Sequence, residues 1–286
     1  MTLEEKSYIY GLLLSDGSLN LAYENTLSGT MTLEVSERDE DIVDKLCKIV
    51  PGSTKRRRIR NTNFKENYSA VSFHISRRIF IEEMIDFGFV KDRKSYNARP
   101  PIQEYDENAF WRGMMDGDGS LGIRKNSKGK LETYLSLTTK SEVIKNEFCR
   151  YLQSITGHQY NPKRNKRDDI YNIGCGGHTA CKILQEIYRD ATVYLNRKYQ
   201  KYLECIDWKA QNNVPKRNTS GVIGVGINRG LNKWMAYITI DKRNIDLGKY
   251  DDKRDAIVAR LTAEKEYFGD YALQRHLFAE YGLEDI

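Results

Sequence analysis

Two nine-residue segments carry acids in matching surroundings: Ile9-Tyr10-Gly11-Leu12-Leu13-Leu14-Ser15-Asp16-Gly17 and Trp111-Arg112-Gly113-Met114-Met115-Asp116-Gly117-Asp118-Gly119. Asp16 and Asp118 stand 102 positions apart, each in an Asp-Gly pair that ends an apolar stretch. A single Asp-Gly is an ordinary turn signal, and the duplication is what argues for more. At the end of a helix a carboxylate meets the negative pole of the dipole, a cost of about a few tenths of a kcal/mol that a cation would relieve. Gly11 and Ser15, like Gly113 and Gly117, are small residues four apart, so two such helices can pack with their backbones close and bring Asp16 and Asp118 together. Neighbouring carboxylates repel unless protonated or bridged. An oxygen pair of this kind suits Mg2+ (or Mn2+), which keeps waters and binds phosphate oxygens, the requirement for metal-assisted phosphodiester hydrolysis.

The surroundings repeat as well. Each segment is followed by two strand-like stretches (18–22 and 30–35; 121–124 and 133–137) and a helical pattern (39–50; 140–155). A basic stretch expected to be the third strand comes next: Lys55, Arg56, Arg57, Arg58 and Arg60 in the first copy, Lys163, Arg164, Lys166 and Arg167 in the second. Then come a strand (68–75; 170–175), another helix, and a short basic phrase, Val90-Lys91-Asp92-Arg93-Lys94 or Leu195-Asn196-Arg197-Lys198. The fold class read from this is α+β, with a unit of order αββαββα present twice, over 1–99 and 102–210, joined at Pro100-Pro101, where consecutive prolines cannot continue a helix. A lone charge run is usually solvated surface. On matching strands of a twisted sheet, alternate basic side chains could instead reach phosphates and base edges along a groove.

Both motif segments resemble LAGLIDADG, and two copies about a hundred residues apart resemble the monomeric, pseudo-twofold homing endonucleases, over roughly residues 3 to 209. The resemblance implies motif helices at a central interface, saddle-shaped sheets in the major groove, metal held by Asp16 and Asp118, and basic catalytic residues at Lys94 and Lys198. Two positions depart from the pattern: the sixth, often acidic, is Leu14 in the first copy, and the second, usually small, is Arg112 in the second copy.

Residues 211–219 are polar and aperiodic and read as a linker, followed by a different rhythm over 220–272 and a tail over 273–286. Three short strands (224–228, 234–241, 244–250) and an amphipathic helix from about 252 to 268 are expected. Residues 216–249 carry seven Lys or Arg against Asp241 and Asp246. Ala256, Ala259 and Ala263 form a small-residue helix face suited to close packing on a sheet. Ser220-Gly221-Val222-Ile223-Gly224-Val225-Gly226-Ile227-Asn228-Arg229, with Lys233-Trp234 and Leu247-Gly248-Lys249-Tyr250, resembles an AP2-type DNA-binding domain. The resemblance implies DNA contacts from Arg229, Lys233, Trp234, Tyr237 and Thr239.

Several other chemistries are excluded. Asp116–Leu121 begins like a calcium loop but has Leu121 at the glycine position and Ser127 at the acid position. His74, His158, His178 and His276 are scattered without metal spacing, and Gly174-Cys175-Gly176-Gly177 lacks the phosphate-loop lysine. Tyr8, Tyr10, Phe73, Phe80 and Phe89 read as core. Five cysteines without a C-x-x-C pair suggest a reducing setting, and no apolar run is long enough to span a bilayer. With 46 Lys and Arg against 40 Asp and Glu in 286 residues, a net +6, and a pI near 8.9, a polyanionic partner is compatible. The expectation is a soluble, unprocessed intracellular monomer, in the cytoplasm or nucleoid of a bacterial or phage-infected host or in an organelle, cutting double-stranded DNA. The competing expectation is an intron RNA maturase or a non-cutting DNA-binding regulator on the same scaffold.

Overall fold

The computed structural model describes residues 1–21, 28–60, 67–90, 93–127, 129–208, 218–240, 243–269 and 272–283. They fall into two compact units, Met1–Arg124 with Glu132–Asp207, and Lys125–Leu131 with Trp208–Ile286. Residues 211–217 of the expected linker, Lys91 and Asp92 of the first basic phrase, Ala22 and Asp241 at strand ends, Lys216, and residues 284–286 of the tail lie outside the described residues, as does the side chain of Arg60.

The first unit opens with α1 (Leu3–Asp16). Thr2 and Glu5 form a reciprocal cap, Glu5 N donating to Thr2 Oγ1 at 3.1 Å and Thr2 N to Glu5 Oε2 at 2.7 Å, which satisfies amides that a helix start leaves orphaned. Every residue from Ser7 to Leu14 is buried, so this helix has no solvent face and must be enclosed by others. Gly17 turns directly into β1 (Gly17–Leu21), followed by β2 (Gly29–Ser36), α2 (Glu40–Ile49), β3 (Thr54–Arg60), β4 (Tyr68–Ile75), α3 (Arg78–Asp86) and the single turn α4 (Lys94–Asn97). The strands form an antiparallel sheet in the order β1-β2-β4-β3. Because side chains alternate along a strand, Met31, Leu33, Val71, Phe73 and Ile75 enter the core. Thr32, Glu34, Ser72 and His74 share the opposite face.

The second half starts with α5 (Glu107–Gly117), capped by Asp106, whose Oδ1 accepts from Ala109 N at 2.8 Å. It continues with β5 (Gly119–Lys125), β6 (Leu131–Thr139), α6 (Glu142–Thr156), β7 (Tyr171–Gly176), α7 (His178–Tyr188) and α8 (Asn196–Asp207). Its sheet has three strands, β5-β6-β7. The αββαββα order therefore holds in the first half and loses one strand in the second. The strand expected over Lys163–Arg167 is replaced by a lone bridge between Asn165 and Ile170. Arg164 folds back instead, donating to Asp169 Oδ1 at 2.8 Å and Lys140 O at 3.0 Å, with its guanidinium 4.6 Å over the Tyr171 ring. Acids directly after a basic run give it a local partner that competes with pairing along a sheet.

One core joins the two halves. At its centre α1 and α5 touch backbone to backbone: a Cβ on Gly113 would sit 2.2 Å from Tyr8 O, and one on Gly11 2.4 Å from Phe110 O. Aromatic rings fill the flanks, with Tyr10 edge-on to Phe87 at 5.3 Å and Trp111 4.8 Å from Phe148. Arg112, which departs from the small-residue pattern, is fully buried yet satisfied. Its Nε donates to Val193 O at 2.8 Å, one Nη to Ile187 O at 2.9 Å and the other to Glu4, so it ties α1 and α5 to the end of α7.

The second unit contains β8 (Val225–Asn228), β9 (Lys233–Ile240) and β10 (Arg243–Tyr250) in the antiparallel order β10-β9-β8, then α9 (Lys253–Phe268). Val225, Ala236, Ala256, Ile257 and Leu261 make its core. Gly224, at φ +83°, lets the chain cross β9: a Cβ there would lie 2.3 Å from Tyr237 O. Beside it a buried Arg260–Glu264 pair is closed by Gln274, whose backbone N donates to Glu264 Oε1 at 2.7 Å. Among the described residues no helix is long and apolar enough to cross a membrane.

Candidate active site and nucleic-acid interface

The close approach of α1 and α5 brings their C-terminal ends side by side. A Cβ on Gly117 would fall 1.8 Å from Ser15 Oγ and 3.1 Å from Asp16 Oδ2, so the two Asp-Gly ends are in contact. Asp16 and Asp118 both reach solvent at these ends, where the last carbonyls of each helix gather partial negative charge. Each helix end is closed by one lysine. Lys94 Nζ donates to Leu13 O at 3.2 Å, Ser15 O at 2.9 Å and Gly17 O. Lys198 Nζ donates to Met115 O at 2.5 Å, Asp116 O at 2.8 Å, Gly117 O at 3.2 Å and Gly119 O at 2.8 Å. Residues 104 positions apart thus make matching contacts with the two motif helices.

Burial raises the Asp16 carboxyl above its ordinary value, against the opposing pull of Lys198 and then Lys94. Asp118 is pushed up to about 6 by burial and then by the charge of Asp16, with Lys94 the stronger of the two opposing ammoniums. Burial also lowers Lys94, and brings Lys198 down to about 8. Both ammoniums thus act on both acids. The clefts set a crossed arrangement, each acid opening toward elements of the other half. One is lined by Asp118 with Leu14, Ser15, Lys94, Thr139 and Lys140. The other is lined by Asp16 with Glu34, Asp39, Gly117, Leu195 and Arg197.

Two acids whose ionised forms are both disfavoured constitute an unmet demand for positive charge. Hard carboxylate oxygens open to water fit Mg2+ or Mn2+, which complete their shells with water and phosphate oxygens. Among the described residues no cluster of three or more His, Cys, Asp or Glu side chains forms a cage, so Asp16 and Asp118 are the side chains that would hold such an ion.

Asp116, at the motif's sixth position, is a buried carboxylate beside the site that sequence reasoning passed over. It is buried, its Oδ2 accepting from Tyr8 Oη at 2.8 Å and Leu195 N at 2.7 Å, and its Oδ1 from Tyr188 Oη at 2.9 Å. Burial and the adjacent carboxylate raise both phenols, so both remain donors. Arg197 was also passed over: it grips Asp39 with two bonds of 2.7 and 2.9 Å. The signals available were the acidic sixth position and an arginine next to the matched lysine.

The first basic run lies on β3, and its register divides it. Arg56 pairs opposite Ser72 and Arg58 opposite Ala70, on the face shared by Thr32, Glu34 and His74. Lys55 and Arg57 point the other way and are taken up by α2. Lys55 Nζ lies 2.6 Å from Glu40 and 2.5 Å from Asp44, and Arg57 is 2.5 Å from Glu40. In the second run Lys163, Lys166 and Arg167 sit off the sheet with Arg164. The open face of β6 and β7 carries Tyr134, Ser136 and Thr138 opposite Gly176, Gly174 and Asn172, with Arg124 4.6 Å over the Tyr134 ring.

In the second unit Tyr237 and Thr239 are exposed on one face of β9, with Lys233 and Met235 at the same parity. Thr239 is 2.6 Å from Asn244 across the sheet. Trp234 has the opposite parity: its ring packs on the core, with Lys253 Nζ 5.7 Å above it. Arg229 follows β8 in the turn before Lys233.

Residues 106–203 match a family model described as a LAGLIDADG-like domain, which spans α5 through most of α8. No curated protein matches the chain. Among solved structures, a mutant of I-SmaMI is similar at 11% identity and a TM-score of 0.49, covering 70% of this chain and 89% of that one. Meganuclease I-SmaMI bound to uncleavable DNA is similar at 10% identity and 0.48, covering 72% and 90%. The I-LtrWI LAGLIDADG homing endonuclease bound to target DNA is similar at 9% identity and 0.47, covering 72% and 91%.

Proposed function

We propose that this chain is a monomeric, site-specific homing endonuclease that makes metal-dependent double-strand breaks at a long asymmetric DNA site. One observation carries the reading: Asp16 and Asp118 sit on touching helix ends, each opening into a cleft lined by residues of the other half, so that two half-sites share one centre. The LAGLIDADG-like domain over 106–203 supports it.

Mg2+ or Mn2+, held by Asp16 and Asp118, would supply Lewis acidity and an activated water at each scissile phosphate. Lys94 and Lys198 neutralise the helix ends and add positive charge where negative charge builds on the phosphate. Tight contact of α1 with α5 fixes the spacing of the acids, and hence of the two cut positions. The open sheet faces would lie in the major groove on either side. On the first sheet Arg56 serves as a phosphate or base contact, with Arg58 beside it paired to Glu34 on the same face, and Lys55 and Arg57 brace that strand against α2. In the second unit we assign an AP2-type surface to Arg229, Lys233, Tyr237 and Thr239, with Trp234 holding the sheet on its helix.

Cleavage of a randomised duplex library, with Mg2+ and with EDTA, tests the reading. Metal-dependent breaks at one recurrent long sequence are expected. Recovery of bound but uncut DNA would transfer the scaffold to a regulator or maturase role.

A further inference from the structure

At the buried sixth position of the motif the two helices differ in chemistry, Asp116 in α5 against Leu14 in α1. Asp116 reaches across to the residue that launches α8. Its Oδ2 accepts from Leu195 N at 2.7 Å, and Leu195 O in turn accepts from Lys198 N and Tyr199 N, both at 3.0 Å. Lys198 thus lies in a helical turn whose first amide is fixed by α5 itself. Tyr8 and Tyr188 hold the same carboxylate from two further elements, so its orientation is determined on three sides. Lys94 has no such support from α1, because Leu14 offers no acceptor. It sits in a single turn, Lys94–Asn97, entered through Arg93 at φ +45°.

We infer that Asp116 is a positioning residue for Lys198, and that its replacement by Leu14 in the other half makes the two cleavage centres unequal. The inference rests on the endonuclease reading. The centre of Asp16 and Lys198 is preorganised by a buried carboxylate of the motif helix, whereas among the described residues the turn carrying Lys94 is anchored away from α1, by Tyr96 Oη donating to Asp169 Oδ2 at 2.9 Å and Ser141 Oγ to Ala98 O at 2.6 Å. Preorganised charge costs no rearrangement during reaction, so the strand served by Asp16 and Lys198 is cut first and a nicked intermediate precedes the double-strand break.

The test uses the full-length protein and the duplex recovered from the library, with each strand end-labelled. Asp16→Asn identifies the strand its centre cuts. Asp116→Leu, which copies the first motif, is expected to slow that same strand by about 10- to 100-fold, leaving the other strand's rate and the DNA affinity unchanged. Asp116→Asn keeps an oxygen for the Leu195 amide and should restore most of the rate. Equal slowing of both strands, or slowing of the Asp118 strand, with affinity intact would overturn the inference. If Asp116→Leu does not fold, Tyr188→Phe removes a single donor to the carboxylate and should slow the same strand by a smaller factor, and absence of strand bias there would also overturn it. A wild-type protein that cuts neither strand would remove the endonuclease reading and this inference together. Wild-type cutting without bias in the variants removes the inference alone.

Discussion

The two halves of the first unit agree at their helix ends and diverge in their sheets. Lys94 contacts the carbonyls of Leu13, Ser15 and Gly17, and Lys198 the equivalent Met115, Gly117 and Gly119 with Asp116 in addition, and Gly11 and Gly113 make the same close approach. Yet one sheet has four strands with a charged open face, and the other has three with glycines on its face. Positions that must meet across the pseudo-twofold axis are bound by geometry on both sides. Positions that face outward answer only to whatever each half contacts, and the two halves are free to present different surfaces.

The largest effect expected from this comparison falls on the acids. Asp16→Asn and Asp118→Asn should each lower double-strand cleavage by at least about a hundredfold, with binding retained and opposite strands left intact in strand-resolved gels. Loss of the same strand in both variants would break the crossed assignment.

Next comes the interface. A side chain at Gly113 meets Tyr8 O and the Leu12 amide, so Gly113→Ala should destabilise the fold by about 1–3 kcal/mol and lower the melting temperature. Gly226→Ala, on β8, would meet nothing within 4 Å and should cost less. Equal melting temperatures would mean that the motif helices are less constrained than their contact implies.

Protonation gives a smaller effect. Asp118 ionises near pH 6, so affinity for Mg2+ measured by calorimetry should fall as pH drops through 6. The same shift bears on stability. A carboxyl raised in the fold releases its proton more readily when unfolded, so its contribution to stability declines as pH climbs from about 4 to 6. Without metal, Asp118→Asn should melt above the wild type at pH 7 and match it below pH 4, and added Mg2+ should close the gap at pH 7 by stabilising only the wild type.

The smallest effect concerns β3. Arg56→Ala should reduce the slope of log affinity against log salt by about 1, and Lys55→Ala should leave it unchanged because α2 already neutralises that ammonium. Equal changes would show that both faces of the strand contribute to binding.

Much of this was legible from residue type and spacing. Small residues four apart foretold a tight helix pair, and the 104-position interval between Lys94 and Lys198 foretold equivalent places. Strand positions in the second unit fell within a residue or two of their observed ends, because alternation and glycine turns mark them locally. Three features were not legible. Lys55 and Arg57 are indistinguishable from Arg56 and Arg58 in a run of like charges, and only the register with β4 and the acids Glu40 and Asp44 on α2 separate them. Lys163–Arg167 reads like β3 in composition, but Asp169 and the Tyr171 ring capture Arg164. Asp116 reads in the sequence only as the start of a calcium loop, because its partners, Tyr8, Tyr188 and Leu195, come from distant parts of the chain.

The enclosure of α1 on all sides has a consequence for how the molecule is made. Its apolar surface emerges before its principal partner, α5, which is complete only at Gly117. At a synthesis rate of roughly 5–20 residues per second, α1 waits on the order of ten seconds for its mate. During that interval the glycine face of α1 can meet the same face on a neighbouring nascent chain, which would present a similar backbone groove. Folding yield should therefore depend on the spacing between ribosomes on one message, and slower initiation should favour pairing of α1 with α5 of its own chain.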